Sequence, residues 1–174
     1  MNETLRLSYI PIPTPDELQE LWQNCFGTQE KLQHINNYVP YEVTRFSQLR
    51  GFLSNEQKGY RFWLIRRKME NDIIGFAIHG SYFPGYPNDV GFNIGLDYVD
   101  MGYATETLNE LTRFVGSLGY KETFGHCYEK NFPAIKTMQK CGYVHQGRTG
   151  QIYSGNHVVE LKYVFLKESS NKGI

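Results

Sequence analysis

The sequence predicts an α/β protein with a mixed, largely antiparallel sheet of six or seven strands flanked by helices. Short runs rich in β-branched and aromatic residues fill the middle and the end of the chain, as half-buried strands do. Segments with apolar residues at helical spacing precede these runs, and further segments of this kind lie between the later runs. Because a strand that follows a helical crossover runs parallel to the strand before it, we expect one parallel pair.

Composition limits the class of protein before any motif is considered. The chain has 174 residues, so we expect one domain with a substantial core. Its 18 basic and 18 acidic residues cancel, which favours neither a nucleic-acid partner nor an anionic membrane surface. Three cysteines without metal-ligand spacing are typical of reduced core thiols in the cytoplasm, and no apolar run is long enough for a signal peptide or a membrane span.

The first third of the chain predicts a short strand and three helices. The strand covers 5–10 and ends at a proline-rich break. Thr14 and Glu17 form a capping box around Pro15, which opens a first helix that ends at Gly27. Further helices are expected at 29–36 and about 44–53, separated by a loop.

The middle of the chain predicts a hairpin of strands at 60–67 and 73–80, followed by a strand at 90–96. His79 ends the second strand, and we interpret it as a structural histidine with satisfied hydrogen bonds. The loop at 81–88 carries three aromatic residues and two prolines. It is either a rigid connection or one wall of a pocket for a cationic amine.

The stretch from Asp100 to Glu106 opens a helix that ends near Gly119. A strand, a tight turn and a helix in succession leave unpaired backbone N–H groups at the positive end of the helix dipole, which is an anion site. Gly102 lets a phosphate approach the backbone, and Ala104 is small. The alternative is an ordinary strand-to-helix turn. The helical stripe behind it comprises Ala104, Leu108, Leu111, Val115 and Leu118.

The last third predicts a strand at 121–128, a helix and a terminal hairpin. The helix covers about 131–141, with Asn131 as its cap and Gly142 as its stop signal. The hairpin pairs 143–148 with 157–165 around a turn at 154–156. The strand at 121–128 should lie parallel to that at 90–96.

These motifs together resemble the GCN5-related N-acetyltransferases, in particular the RimJ/RimL-like branch. The resemblance spans about 63–165, and three motifs carry it: the hairpin 62–65 with 74–76, the strand and turn at 90–95 and 102–108, and the helix at 131–143 followed by Gly147. It implies a cofactor-binding core at 60–167 and acceptor-side helices at 1–55. It also implies a V-shaped split between strands 4 and 5, and an acetyl group passed from acetyl-CoA, without a metal, to an amine.

The resemblance also implies which residues hold acetyl-CoA. The pantetheine arm would pair with the fourth strand at Phe92, Asn93 and Ile94. The pyrophosphate would bind the backbone amides of Met101, Gly102, Tyr103, Ala104 and Thr105. Asn131 and Ala134 would contact the cofactor arm.

Three positions depart from the family pattern. Val99 stands where a Gln or Arg is usual, and Asp100 adds a carboxylate near the phosphates, a repulsion of about 1 kcal/mol when solvent screens it. Met138 occupies the place of a tyrosine that protonates the leaving thiolate. An alternative is therefore a non-catalytic sensor or scaffold that binds CoA.

For catalysis, Asp89 at the start of the fourth strand is the predicted base, with Glu42 and Glu106 as weaker candidates. His126 and Tyr128, late in the fifth strand, are predicted proton donors. The acceptor would contact Tyr41, Glu42, Tyr82 and Tyr86. The acceptor itself stays open between a protein N-terminus, an amino acid, a polyamine and another small amine, and a homodimer is possible.

Overall fold

The computed structural model describes residues 1–36, 44–47, 61–80, 87–153 and 156–167. Several predicted segments lie outside these residues: the loop at 37–42, residues 81–86 of the loop at 81–88, most of the helix at 44–53, residues 154–155 of the turn at 154–156, and the tail from 168. Across the described ranges, no helix has the length and apolarity needed to cross a membrane.

Seven strands form one sheet in the order β1-β2-β3-β4-β5-β7-β6. Every neighbouring pair is antiparallel except β4 and β5. The elements are β1 Leu7–Ile10, α1 Pro15–Cys25, α2 Gln29–Asn36, β2 Arg61–Arg67, β3 Ile73–His79, β4 Asp89–Ile94, α3 Tyr103–Ser117, β5 Glu122–Tyr128, α4 Phe132–Lys140, β6 Val144–Tyr153 and β7 Asn156–Leu166. The predicted mixed sheet with one parallel pair is confirmed.

The parallel pair β4–β5 is joined only at its beginning. The register pairs Asp89 with Phe124 and Val90 with Gly125, and goes no further. Beyond this point β5 continues to pair with β7 on its other edge, as far as Tyr128 opposite Glu160. The two strands therefore diverge, and the predicted V-shaped split is present.

The two faces of the sheet carry different helices. One face packs on α3 and α4 through a core that includes Val90, Leu108, Leu111, Val115, Cys127 and Met138. The other face packs on α1 and α2 through Leu21, Cys25, Phe26, Ile35, Leu64 and Phe76. Asn93 is the register partner of Phe76, so alternate β4 residues from Asp89 to Asn93 face the side of α1 and α2.

Local signals place most helix ends correctly. The Thr14 hydroxyl accepts from the Glu17 N–H, and the Glu17 carboxylate accepts from the Thr14 N–H at 2.8 Å, which confirms the predicted capping box. Gly119 follows the α3 C-cap with a φ of +93°, as a glycine after a helix does.

Two expectations at element ends are wrong. The fourth strand ends at Ile94 rather than 96, because the Gly95 N–H still donates to Ile74 but the chain then enters a 3₁₀ turn at Leu96–Tyr98. Leu118 is 40% exposed instead of buried, because it lies at the helix cap, beyond the last turn that reaches the core.

Candidate active site

A cavity of about 450 Å³ runs along the split between β4 and β5. It gathers most of the predicted site residues, namely Asp89, Phe92, Asn93, Ile94, Gly102, Tyr103, Ala104, Thr105, His126, Tyr128, Asn131 and Ala134. Met101 is not among its lining residues, and its side chain is 50% exposed. The predicted acceptor contacts Tyr41, Glu42, Tyr82 and Tyr86 lie outside the described residues.

The turn before α3 has the backbone geometry of an anion site. Gly102 is the N-cap residue with a φ of +82°, a left-handed conformation that a glycine adopts without strain. The Glu106 N–H donates to the Gly102 carbonyl at 3.1 Å, which begins the helical ladder. The N–H groups of residues 103–105 precede this ladder and therefore have no intrahelical acceptor. Together with the helix dipole they favour a phosphate at this end of the cavity.

Arg6 brings a cation to this turn that sequence reasoning missed. Its Nη1 donates to the Met101 carbonyl at 2.9 Å, and its Nε donates to Glu106 at 2.7 Å. Its guanidinium lies 4.6 Å from the centre of the Tyr103 ring. Arg6 lies about a hundred residues before the turn and immediately before β1, and the tertiary fold brings it to Glu106 of α3. No local motif could have found it.

The free edge of β4 offers backbone groups to the split. The Asp89 carbonyl accepts from Gly80 at 3.0 Å, and the Gly95 N–H donates to Ile74 at 2.9 Å, so odd-numbered β4 residues bond to β3. Hydrogen-bonding direction alternates along a strand. The N–H and carbonyl groups of Phe92 and Ile94 therefore point into the split, whereas Asn93 reaches the cavity through its side chain.

The apex of the split holds a buried carboxylate and imidazole pair. His126 Nδ1 lies 3.2 Å from both carboxylate oxygens of Asp89. Burial raises the pKa of Asp89, while its hydrogen bond with His126 and the charge of His126 act in the opposite direction. Two residues that the sequence analysis singled out separately thus form one unit. Their pairing depends on the β4–β5 register, which the sequence alone did not supply.

Glu160 on β7 is a second buried carboxylate that sequence reasoning missed. It lies opposite Tyr128 in the β5–β7 register, lines the cavity and is 6% exposed. Burial raises the pKa of its carboxyl group; the charge of His126 acts in the opposite direction, and the charge of Asp89 acts in the same direction as burial. A glutamate in an alternating strand gives no local signal, because its burial follows from strand order.

Helix α4 closes the other side of the cavity. Asn131 caps it, as predicted, with its side-chain oxygen accepting from the Ala134 N–H at 3.1 Å. Met138 is buried and packs against Gly125 of β5. Its thioether has no proton to donate to a leaving group. His34 of α2 also lines the cavity, and burial lowers the pKa of its imidazole. Sequence reasoning had assigned His34 no role.

These features fit acetyl-CoA. The turn at Gly102 would hold its pyrophosphate, and the open β4 edge at Phe92 and Ile94 would pair with the amides of its pantetheine arm. The cavity leads from that turn to the Asp89–His126 pair. Among the described residues, no group of three or more His, Cys, Asp or Glu side chains could hold a metal ion.

Comparison with known proteins agrees with this geometry. A relative from Bacillus subtilis (strain 168), named uncharacterized N-acetyltransferase YnaD, is 27% identical over 148 residues, which cover 79% of this chain and 84% of that protein. A putative ribosomal-protein-serine acetyltransferase from Vibrio cholerae superposes with a TM-score of 0.76 at 20% identity, over 94% of this chain and 95% of that one. A spermidine N-acetyltransferase from Vibrio cholerae, in complex with CoA and spermine, gives 0.71 at 15% identity, over 94% and 97%. At these low identities, the two structural superpositions show that the fold is shared and nothing more.

The family assignment rests on a match across most of the chain. A family model described as an acetyltransferase (GNAT) domain matches residues 6–144, which include both strands of the split and the turn at Gly102. Enzymes of this family use acetyl-CoA. The chain therefore belongs to the GNAT acetyltransferases, a family of acyl-CoA-dependent enzymes.

Proposed function

We propose that this enzyme transfers an acetyl group from acetyl-CoA to a primary amine by direct attack in a ternary complex. One observation carries the proposal: the buried Asp89–His126 pair lies at the apex of the same cavity that begins at the Gly102 turn. The reaction needs a base that takes a proton from the amine and a site that holds the acyl donor. A proton acceptor and an anion site in one cleft meet these two needs.

The residues of the cavity would have separate roles in the transfer of the acetyl group. Bound acetyl-CoA supplies a thioester carbonyl carbon as the electrophile. The Asp89–His126 pair takes one proton from the incoming ammonium group, and the neutral amine then forms the new C–N bond as the C–S bond breaks. A backbone N–H directed into the split, from Phe92 or Ile94, polarises the carbonyl oxygen.

The reaction involves two further proton transfers, one from the amine nitrogen and one to the leaving thiolate. The amine nitrogen loses a second proton when it becomes an amide nitrogen, and the thiolate gains one. The Asp89–His126 pair can return its proton to the thiolate, and Tyr128 lines the same cavity as a further hydroxyl donor. The sum is an acetylated amine, CoA thiol and one proton released to water.

Two findings support an amine as the acceptor. The Bacillus relative is named an N-acetyltransferase, and one fold neighbour is named for spermidine. The cavity is also lined by Asp89, Glu160 and Asn93. Carboxylates attract ammonium ions and repel anionic acceptors.

The test measures CoA thiol release and acetylated product over a panel of amines for the native enzyme, Asp89→Asn and His126→Gln. We expect each variant to bind acetyl-CoA normally and to lose about 100-fold in kcat/KM, the usual contribution of a general base. The double variant should lose little more, because paired groups act as one unit. His145→Gln, an exposed histidine on β6, is the control.

The pH dependence separates a catalytic from a structural role. Rate should rise with pH as the Asp89–His126 pair loses its proton, and this rise should disappear in Asp89→Asn. If Asp89→Asn retains both native turnover and the native pH–rate profile, the assignment of the base is wrong.

A further inference from the structure

The cavity contains two buried carboxyl groups, one more than the transfer of one proton requires. Asp89 already shares its carboxylate with His126. Glu160 is a second carboxylate on the same side, and its Oε2 is buried with no hydrogen-bond partner in the described part of the chain. An ionised carboxylate in such a place is costly until a donor or a cation reaches it.

A second buried oxygen in this region also lacks a donor. Asn93 Oδ1 is buried, lines the same cavity and has no partner among the described residues. Asn93 lies two positions after Gly91 and four after Asp89, so all three side-chain positions share one face of β4. The two unpartnered atoms, Glu160 Oε2 and Asn93 Oδ1, are both hydrogen-bond acceptors. An ammonium group has three donors and no acceptor, so it can donate to acceptors of this kind.

Lys162 of β7 is a cation on the same face of the sheet, and its ammonium group lies over the ring of Phe124. Lys162 is the register partner of His126, and its Nζ lies 4.5 Å from the centre of the Phe124 ring. Its charge acts on Asp89, whereas the charges that act on Glu160 are those of His126 and Asp89. Glu160 is thus the second carboxyl group of the site, and a cation beside it would favour its ionised form.

The strand register sets the distance between the backbone positions of His126 and Glu160. His126 pairs with Lys162 and Tyr128 pairs with Glu160, so His126 and Glu160 are diagonal neighbours on β5 and β7. Diagonal neighbours in an antiparallel pair lie about 7–8 Å apart. One nitrogen at His126 and a second at Glu160 would therefore be separated by a short alkyl chain.

We propose that Glu160 binds a second ammonium group of the acceptor, so that the preferred acceptor is a short diamine or polyamine acetylated on one end. This inference rests on the proposed amine acetyltransferase function and specifies its acceptor. Asp89 and His126 serve the reacting nitrogen, and Glu160 holds the distal one. A neutral or anionic group at the distal position would leave the buried carboxylate without its counter-charge.

The test compares two acceptors that differ only in the distal group, 1,4-diaminobutane and 4-amino-1-butanol. Native enzyme should acetylate the diamine with at least a tenfold higher kcat/KM, mostly through a lower KM. Glu160→Gln, which keeps the shape of the side chain, should remove this preference by raising KM for the diamine. Its kcat/KM for the amino alcohol should fall by less than that for the diamine, so that the ratio of the two values approaches one.

Controls separate recognition from folding and from the reaction itself. Glu129→Gln removes a carboxylate that faces Arg148 outside the cavity, and it should keep the native preference. Glu160→Gln should keep native acetyl-CoA binding and should unfold at no lower temperature than native, because it removes a buried carboxyl group whose Oε2 has no hydrogen-bond partner among the described residues.

Several results would overturn the inference. Glu160→Gln could keep the diamine preference, or it could lower both acceptors equally, which would make Glu160 part of the shared machinery. Native enzyme could instead acetylate mono-amines or peptide N-termini with no gain from a second cation. If no amine of any class yields an acetylated product, the proposed function itself has failed, and that outcome is distinct from the others.

Discussion

At the scale of single residues, His79 shows what burial does to a histidine without a partner. The sequence predicted a strand-end histidine with satisfied hydrogen bonds, and this is wrong. Both ring nitrogens are buried and have no hydrogen-bond partner in the described part of the chain. The ring packs edge-on against Phe114, with centroids 5.5 Å apart. Burial, helped by the charge of Arg61, lowers the pKa of His79 to about 4.

This shift makes a prediction about stability in acid. Unfolded His79 binds its proton near its ordinary pKa of 6.5, and folded His79 only near 4. Between these values the unfolded state binds more protons, so the free energy of unfolding falls as pH drops from 6.5 to 4. The loss from this one residue should reach up to about 3 kcal/mol, at about 1.4 kcal/mol per pKa unit.

His79→Phe should flatten this part of the curve, as measured by urea unfolding at several pH values. The raised pKa values of Asp89 and Glu160 act with the opposite sign, but they are present in both proteins and cancel in the comparison. His145→Phe, at an exposed position, should leave the slope unchanged. An identical pH slope in native protein and His79→Phe would refute this account of His79.

Sequence reasoning singled out candidate residues whose own position carried a signal, and the structure brings several of them to one cavity. Asp89 and His126 each stand out at a strand end, and Gly102 at a helix start. Their meeting, and the arrival of Arg6 and Glu160, follow from strand order and register. These are long-range properties, which local patterns do not encode.

At the scale of elements, the split depends on close contact between β3 and β4. Gly75 of β3 lies against the backbone of β4, where a Cβ atom would overlap the carbonyl oxygen of Asn93. Because that contact is with backbone, the overlap could be relieved only by moving β4. The glycine therefore fixes the position of the strand whose free edge lines the cavity.

Gly75→Ala should destabilise the protein by about 2 kcal/mol or more, through overpacking against β4. Gly91→Ala, on β4 itself, is the matched control, because a Cβ there meets nothing within 4 Å. Its free energy of unfolding should stay within about 0.5 kcal/mol of native. Equal effects of the two substitutions in chemical unfolding would show that the close contact does not matter.

Element prediction was most successful where local chemistry decides the outcome. The capping box of α1, the asparagine cap of α4 and the glycine after α3 were all identified from sequence. The 3₁₀ turn after β4 was missed, because its apolar residues Leu96 and Tyr98 continue the pattern of a strand. Tertiary context, including the bond from the Tyr98 hydroxyl to Asp72, holds that turn.

At the scale of the whole molecule, the sheet separates two tasks between its faces. The face under α3 and α4 is an apolar core. The opposite face is apolar beneath α1, and it carries Asp89, His126 and Glu160 where it borders the cavity of the split. The alternation of strand residues predicted two faces, but only the strand order shows that the polar positions of β4, β5 and β7 meet at one cavity.

The most direct test of the central claim is a calorimetric titration of acetyl-CoA into the native protein, Gly102→Glu and Gly119→Glu. Both glycines have positive φ and lie at opposite ends of α3, so the two variants share backbone strain and added charge. The account predicts binding by native protein and by Gly119→Glu, and a loss of at least about 100-fold in Gly102→Glu, whose carboxylate would occupy the phosphate position. Absence of binding by native protein, or undiminished binding by Gly102→Glu, would contradict it.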